Sequence, residues 1–231
     1  MTKLAIIGSG GHTRSSTNLL LNYFDGNDIG IYDESFVKDS KQEMVNFIPL
    51  IGSIKDIKLN QGVFLSIGDN SLRKKYFLKF KDQIIKDTIF HSNSLQEEDV
   101  EFGISNQIFA YSYINSQVRI GSNNIINTSA IIEHEVVLGD HNHISVGVKI
   151  CGRSTIGNMC LIGAGAVVVD NIFICDNTII GAGSVVIKDI KEAGTYVGNP
   201  AKRIKWYIFP LHALNTKKLK ILFKNWPKMA F

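Results

Sequence analysis

The chain has 231 residues, of which 45% are hydrophobic and 20% are charged, so it is long enough for one large or two small domains with packed cores. Its net charge of +4 comes from the C-terminal end, where residues 204–231 contain six lysines and neither Asp nor Glu. The remaining residues are slightly acidic, which argues against a nucleic-acid-binding body.

Cysteine usage and hydropathy exclude further classes of protein. The three cysteines have no CxxC spacing, which argues against a disulfide framework and against a zinc knuckle. The first residues do not form a secretory signal, and the apolar segment 161–187 is interrupted by Asp and Asn residues, so no membrane span is predicted. We therefore expect a cytoplasmic protein.

The first hundred residues alternate short apolar runs with helix-like stretches. Strands are predicted over residues 4–7, 29–32 and 63–67, and helices over the stretch that includes residues 19–24 and over residues 71–80. Such alternation is typical of a small α/β domain with a Rossmann-like parallel sheet, here residues 1–100.

A glycine-rich turn, Gly8-Ser9-Gly10-Gly11-His12, follows the first predicted strand. A turn of this kind can place backbone N–H groups and a helix N-terminus against a phosphate. It is not a full dinucleotide fingerprint, because Thr13 stands where the final glycine belongs. Asp33 and Glu34, about twenty residues further on, can accept hydrogen bonds from a ribose or base. The alternative is a turn whose glycines merely allow close packing.

A repeat of six residues dominates the next hundred. Every sixth residue from Ile108 is aliphatic: Ile108, Ile114, Ile120, Ile126, Ile132, Leu138, Ile144, Ile150, Ile156, Ile162, Val168, Ile174, Ile180 and Val186. Neither a helix of period 3.6 nor a strand of period 2 produces this spacing, whereas a short strand and a corner that repeat as one unit do. The sequence alone therefore predicts a solenoid over residues 101–205 whose aliphatic side chains point inward.

The repeat resembles that of the hexapeptide-repeat acyltransferases, which implies a left-handed parallel β-helix with three hexads per coil. Three stretches resemble a narrower family, the NeuD/PglD-type sialic-acid O-acetyltransferases and bacillosamine-pathway aminosugar N-acetyltransferases. They are Ile7-Gly8-Ser9-Gly10-Gly11-His12, Asn127-Thr128-Ser129-Ala130-Ile131-Ile132-Glu133-His134-Glu135, and Val197-Gly198-Asn199-Pro200-Ala201-Lys202-Arg203. The resemblance implies acetyl transfer from acetyl-coenzyme A to a nucleotide-linked amino sugar (UDP or dTDP), in a homotrimer with active sites between subunits and no metal.

The resemblance also assigns site residues. His134 matches the general base and Glu135 the acid that raises its basicity. His143, Ala164 and Ala182 match the acetyl-coenzyme A site, and the nucleotide-sugar site comprises Gly10, Gly11, His12, Asp33, Glu34, Gly68 and Asn127. The turn departs from the family by reading Gly-Gly-His where the aminosugar enzymes more often have Ser-Gly-His.

The chemistry of these residue types fits the assignment. A histidine that is largely neutral at cytoplasmic pH can take a proton from an amine as it attacks a thioester, and a neighbouring carboxylate can hold its tautomer. From the residues alone, either Glu133 or Glu135 can be that carboxylate; only the resemblance favours Glu135. Direct transfer needs no nucleophile, and none of the cysteines is expected to carry an acyl group.

Other functions remain open at this stage. Within the same family, O-acetylation of a sialic acid or a similar sugar is the nearest rival. His141 and His143 flank Asn142 and could instead bind a metal between subunits, as in solenoid carbonic anhydrases. A non-catalytic scaffold is a third possibility.

The last segment, residues 206–231, is basic and rich in aromatic residues. Such a composition is compatible with peripheral contact to an anionic membrane. Docking of the aromatic side chains on a neighbouring subunit is favoured, because Pro210 and Pro227 limit a continuous amphipathic helix.

Overall fold

The computed structural model describes residues 3–37 and 44–204. The N-terminal domain contains a five-stranded sheet of order β3-β4-β2-β1-β5, formed by β1 Leu4–Ile7, β2 Ile29–Tyr32, β3 Met44–Val45, β4 Ile48–Gly52 and β5 Gly62–Leu65. All pairs are parallel except β3 with β4. Two α-helices, α1 Gly11–Leu20 and α2 Asn70–Lys79, accompany the sheet, together with short 3₁₀ helices at Gly26–Asp28 and Ile54–Asp56.

The predicted α/β domain is confirmed, with differences at its margins. β1 and β2 coincide with the predicted strands because both are buried apolar runs. Helix α1 ends at Leu20, before the predicted apolar stretch to Phe24 is complete. The hairpin of β3 and β4 was not predicted, since two residues of strand carry too little pattern to detect.

The second domain is a left-handed parallel β-helix with three faces. From Ile89 to Val186, neighbouring strands of one face lie eighteen residues apart, as Gln107 pairs with Ile125 and Ile125 with His143. We call one face the docking face, because the N-terminal domain packs on it, and we number the other two. The docking face contains Ile89–Phe90, Gln107–Ile108, Ile125–Ile126, His143–Ile144, Leu161–Ile162 and Ile179–Ile180, and is extended by Thr195–Val197 and Lys202–Ile204.

The second face contains Leu95–Gln96, Tyr113–Ile114, Ile131–Ile132, Lys149–Ile150, Val167–Val168 and Val185–Val186. The third face contains Glu101–Phe102, Arg119–Ile120, Val137–Leu138, Thr155–Ile156 and Phe173–Ile174. Strands at residues 89–90 and 95–96 already belong to these sheets, so stacking begins before the predicted domain boundary between residues 100 and 101.

The solenoid core is built as the repeat predicts. All of the aliphatic residues spaced by six are buried in one hydrophobic cluster. One corner is instead filled by buried asparagines on successive coils: the side-chain oxygen of Asn106 accepts from the backbone N–H of Asn124, and that of Asn124 accepts from Asn142. These hydrogen bonds satisfy backbone groups that a corner leaves without a strand partner.

The two domains share an apolar core and a buried cation. One hydrophobic cluster contains side chains of both domains. Leu19 and Leu20 of α1 pack there with residues of the docking face and its edge, Ile89, Phe109 and Ile125. Beside it, the guanidinium of Arg73 in α2 is fully buried and donates to the backbone oxygens of Ile67, Gly68, Asn123, His141 and Asn142. Burial lowers the pKa of Arg73 to about 9. The guanidinium therefore ties the loop before α2 to two solenoid coils.

Among the described residues, no helix is long and apolar enough to cross a membrane. The predicted basic and aromatic segment 206–231 lies outside the described residues.

Candidate active site

The glycine-rich turn joins β1 to α1. Gly8 has φ +112°, and a Cβ there would lie 2.7 Å from the carbonyl oxygen of Ser66, so glycine is required by both conformation and packing. Gly10 and Gly11 differ, because a Cβ on either would meet nothing within 4 Å. Gly10 precedes the first turn of the helix, and no side chain caps it. The turn thus leaves helix N–H groups open toward an anion.

The two acidic residues after β2 are already engaged. The carboxylate of Asp33 accepts hydrogen bonds from the backbone N–H groups of Ser9 and Ser35, at 2.8 and 2.9 Å, and from the Ser35 hydroxyl. Partial burial opposes ionisation, but the hydrogen bonds from Ser35 and Ser9 prevail and lower the pKa of Asp33. Glu34 accepts a hydrogen bond from the hydroxyl of Tyr76, so Asp33 is held at the turn and Glu34 at α2.

A second group of predicted residues meets where the domains join. Nδ1 of His143 lies 3.1 Å from the carbonyl oxygen of Gly68, and its Nε2 lies 3.4 Å from the side-chain nitrogen of Asn127. The ring of His12 lies 6.1 Å from that of His143, measured between centroids. The structure therefore brings together four of the residues assigned to the substrates.

Hydrogen bonding determines the tautomers of both histidines. A carbonyl oxygen only accepts, so the proton of neutral His143 lies on Nδ1. Nε2 of His12 lies 3.1 Å from the side-chain oxygen of Gln107. The side-chain nitrogen of Gln107 donates to the carbonyl oxygen of Leu65, which fixes the orientation of this amide. Because the amide oxygen only accepts, the proton of neutral His12 lies on Nε2. Burial, chiefly, lowers the pKa of each of these histidines to about 4, so both are neutral at pH 7.

The predicted catalytic pair lies at the edge between the second and third faces. Nδ1 of His134 is 2.9 Å from Oε2 of Glu135, and both side chains are about two-fifths exposed. Because a carboxylate only accepts, the proton of neutral His134 lies on Nδ1 and the lone pair lies on Nε2. The hydrogen bond from His134, together with the positive charge of Arg153, lowers the pKa of Glu135. Glu133, the other carboxylate left open by the sequence, instead accepts from Asn115 at 2.7 Å.

The remaining predicted residues lie at another edge. Ala164 and Ala182 are exposed, and they follow strands of the docking face on successive coils, where the N–H of Gly183 donates to the carbonyl of Ala164. Asn127 begins the same edge two coils earlier. Within one chain, the structure thus brings Asn127, Ala164 and Ala182 to the edge between the docking and second faces. His134 and Glu135 lie at a different edge.

The metal-binding alternative is not supported by the two histidines on which it depends. Nδ1 of His141 is 2.8 Å from the side-chain nitrogen of Asn123, and its ring packs edge-on against Phe77 of α2. His143 faces Gly68, as described above. Both rings are thus engaged at the contact between the domains. In residues 3–37 and 44–204, no group of three or more His, Cys, Asp or Glu residues is arranged to hold a metal.

Sequence reasoning assigned no role to three residues of this region. Gln107 orients His12, Arg73 joins the domains, and Arg153 contacts Glu135 through Nε at 3.1 Å. A spacing of eighteen residues between Glu135 and Arg153 is one full coil, and this periodicity could have identified the pair. Gln107 and Arg73 carry no such signal, because their partners are distant in sequence.

Comparison with known proteins agrees with this architecture. Residues 3–80 match the model of the PglD N-terminal domain, and residues 153–188 match that of the bacterial transferase hexapeptide of six repeats. A mutant perosamine N-acetyltransferase from Caulobacter crescentus, solved in complex with CoA and GDP-perosamine, is 27% identical, with a TM-score of 0.81 over 88% of this chain and 97% of that one. The chain belongs to the NeuD/PglD-type sugar acetyltransferase family.

Two other solved members of this fold are more distant in sequence. The acetyltransferase domain of PglB from Neisseria gonorrhoeae FA1090 is 24% identical, with a TM-score of 0.77 over 88% of this chain and 100% of that domain. WeeI from Acinetobacter baumannii AYE is 21% identical, with a TM-score of 0.79 over the same shares. A comparison with curated protein sequences finds no match.

Proposed function

We propose that this chain transfers an acetyl group from acetyl-coenzyme A to the amino group of a nucleotide-linked 4-amino-4,6-dideoxy sugar. The observation that carries the proposal is the hydrogen bond between His134 and Glu135, which leaves the lone pair of His134 Nε2 available on an exposed edge of a hexapeptide solenoid. Support comes from the perosamine N-acetyltransferase, which was solved with CoA and GDP-perosamine.

The chemistry requires one base and no enzyme nucleophile. The sugar amine attacks the thioester carbonyl carbon, and Nε2 of His134 takes the proton that the amine loses. Glu135 holds the proton on Nδ1 and stabilises the imidazolium. When the C–S bond breaks, the sulfur of coenzyme A leaves and takes a proton from the imidazolium, giving an amide and a free thiol.

The cysteines fit this direct route. Cys160 is buried, and its burial raises the pKa of the thiol to about 11. Burial also raises the pKa of Cys151. Because the thiolate is the nucleophilic form, neither side chain is prepared to accept an acyl group at neutral pH.

We further assign the substrates to two regions. The nucleotide-sugar lies at the glycine turn, with its phosphates against Gly10 and Gly11, its nucleoside near Asp33 and Glu34, and its sugar toward His12 and Gly68. Acetyl-coenzyme A lies along the edge that carries Ala164 and Ala182, with His143 at its acyl end. Asn127, whose side chain contacts His143, belongs to the nucleotide-sugar site. Small side chains at this edge suit an extended pantetheine arm.

The assignment has a consequence for assembly. The coenzyme edge lies between the docking and second faces, whereas His134 lies between the second and third faces. A complete site therefore combines the coenzyme edge of one chain with His134 of another, which a cyclic homotrimer provides. A cytoplasmic location is part of the same proposal.

The test is a panel of UDP-, dTDP- and GDP-linked 4-amino sugars incubated with acetyl-coenzyme A. Thiol release and a mass gain of one acetyl group on the sugar are expected for at least one member. The His134→Ala variant should reduce turnover by about 10²–10⁴-fold, the usual scale for loss of a general base. The Lys3→Ala variant, which removes an exposed ion pair with Asp28 just before β1, should keep wild-type turnover. Unchanged turnover in His134→Ala would refute the assignment of the base.

The same panel separates N- from O-acetylation. An amide survives treatment with neutral hydroxylamine, whereas an ester is cleaved. Matched sugars with a hydroxyl in place of the amine should not be acetylated. Transfer to those sugars, or to a sialic acid, would replace the proposed acceptor with an alcohol.

A further inference from the structure

One glycine of the solenoid occupies a position that carries a side chain in all of the other hexads. Gly152 stands two residues after the inward Ile150. The equivalent residues after the other inward aliphatics are Ala110, Ser116, Ser122, Thr128, His134, Asp140, Val146, Asn158, Ala164, Asp170, Asp176, Ala182 and Lys188. The coil geometry therefore accepts a side chain at this position.

The backbone of Gly152 does not require glycine. Its φ lies outside the left-handed region, unlike that of Gly147 or Gly165, with φ +66° and +67°. Its carbonyl oxygen accepts from the N–H of Asn171 at 2.9 Å, an ordinary coil-to-coil hydrogen bond. The reason for the missing side chain must lie in what the position faces.

That neighbour is the imidazole of His134, one coil earlier. A Cβ on Gly152 would lie 2.5 Å from Cε1, 2.6 Å from Nε2 and 3.1 Å from Nδ1 of His134, and these are its three nearest atoms. Atoms in real structures do not approach so closely, so a Cβ and the ring in this position exclude each other. The backbone cannot yield easily, because the N–H of Arg153 donates to the carbonyl of His134 at 3.0 Å.

We propose that Gly152 is a positioning residue for His134: its bare Cα is the surface on which the nitrogen-bearing edge of the ring rests. Glu135 then holds the ring at Nδ1, while contact with the backbone of Gly152 fixes the distance of Nε2 from the surface of the solenoid. A side chain at Gly152 displaces the ring toward solvent, since His134 is partly exposed and can rotate. The catalytic consequence rests on the proposed function, whereas the steric exclusion does not.

The decisive experiment is a double-mutant cycle of Gly152→Ala and His134→Ala. In the wild-type background, Gly152→Ala should lower kcat by about 10²-fold, the scale of a misplacement near 1 Å, and leave KM for both substrates nearly unchanged. In the His134→Ala background the added methyl meets no ring, so it should lower neither the residual rate nor the melting temperature. The control is Gly62→Ala, whose Cβ would lie 3.7 Å from its nearest neighbour and should leave kcat unchanged.

A readout independent of turnover is the ¹⁵N spectrum of the His134 ring. In the wild type the shifts should report a proton on Nδ1, and Gly152→Ala should alter both ring nitrogens. Unchanged shifts, or unchanged kcat in an enzyme that His134→Ala inactivates, would overturn the proposal. If the wild type transfers no acetyl group, the proposed function fails, while the spectra and the melting temperatures of the cycle still decide the role of Gly152.

Failure of Gly152→Ala to fold would not end the test. The double variant should then fold, because the clash is removed together with the ring. A double variant that also fails to fold would show that Gly152 is needed for a reason other than His134.

Discussion

Nε of Arg153 lies 3.1 Å from Oε2 of Glu135, the same oxygen that accepts the hydrogen bond from Nδ1 of His134. One carboxylate oxygen thus joins His134, the proposed base, to a cation on the next coil. The hydrogen bond from His134, and after it the charge and hydrogen bond of Arg153, lower the pKa of Glu135, which gives Arg153 an indirect role in the proposed chemistry.

We predict that Arg153→Met lowers kcat by about 2–5-fold, because a solvent-exposed ion pair contributes little to the position and charge of Glu135. Steady-state rates at saturating substrate provide the measurement. Lys3→Met removes another exposed ion pair, with Asp28, and should leave kcat unchanged. A loss as large as that of His134→Ala would mean that Arg153 contacts a substrate directly.

The glycines of the N-terminal turn should separate stability from binding. Gly8→Ala should destabilise the protein by about 1–3 kcal/mol, since its Cβ would strike the Ser66 carbonyl and its φ is positive. Gly10→Ala should leave stability within about 0.5 kcal/mol, because the space around its Cβ is open. Gly10→Ala should raise KM for the nucleotide-sugar, whereas Gly8→Ala should not. Urea unfolding and kinetics check both, and an unaltered KM would remove Gly10 from the binding site.

Stability should fall in acid because of the buried histidines. His12 and His143 have a pKa of about 4 in the folded protein, because burial disfavours their charged form, against an ordinary value of 6.5. Between these values the unfolded chain binds more protons, so stability is fully present above pH 6.5 and is lost as pH falls toward 4. Each histidine should contribute roughly 2–3 kcal/mol of this loss.

Urea unfolding followed by circular dichroism between pH 4 and 7 measures this slope. His143→Gln retains a donor for the Gly68 carbonyl and removes one titrating group. The variant should therefore show a clearly shallower dependence on pH. An identical slope would place the acid sensitivity in other groups.

Subunit mixing tests whether the site is shared between chains. His134→Ala lacks the base, and Ala164→Trp fills the proposed coenzyme edge, so each variant alone should be inactive. Mixed trimers should regain activity at roughly a quarter of their sites when equal amounts assemble at random. Each variant mixed with wild type serves as the reference. A mixture that assembles yet stays inactive would indicate a site within one chain.

Local patterns in the sequence predicted the parts of the fold that depend on local spacing. The inward residues from Ile108 to Val186 recur every six residues and are all buried, because a strand and corner repeat as one unit. The strands 4–7 and 29–32 were predictable for a similar reason, as continuous apolar runs between turns. The two-residue strand β3 was missed because so short an element has no period.

The sequence by itself determined the solenoid, the α/β domain before it and, through the resemblance, the family. Only the tertiary structure decided between Glu133 and Glu135, since both adjoin His134 in the chain and only the corner geometry turns Glu135 toward Nδ1. It also decided the contact of His143 with Gly68 and the place of the His134 ring above Gly152. These contacts depend on how coils stack and domains dock, which no local pattern records.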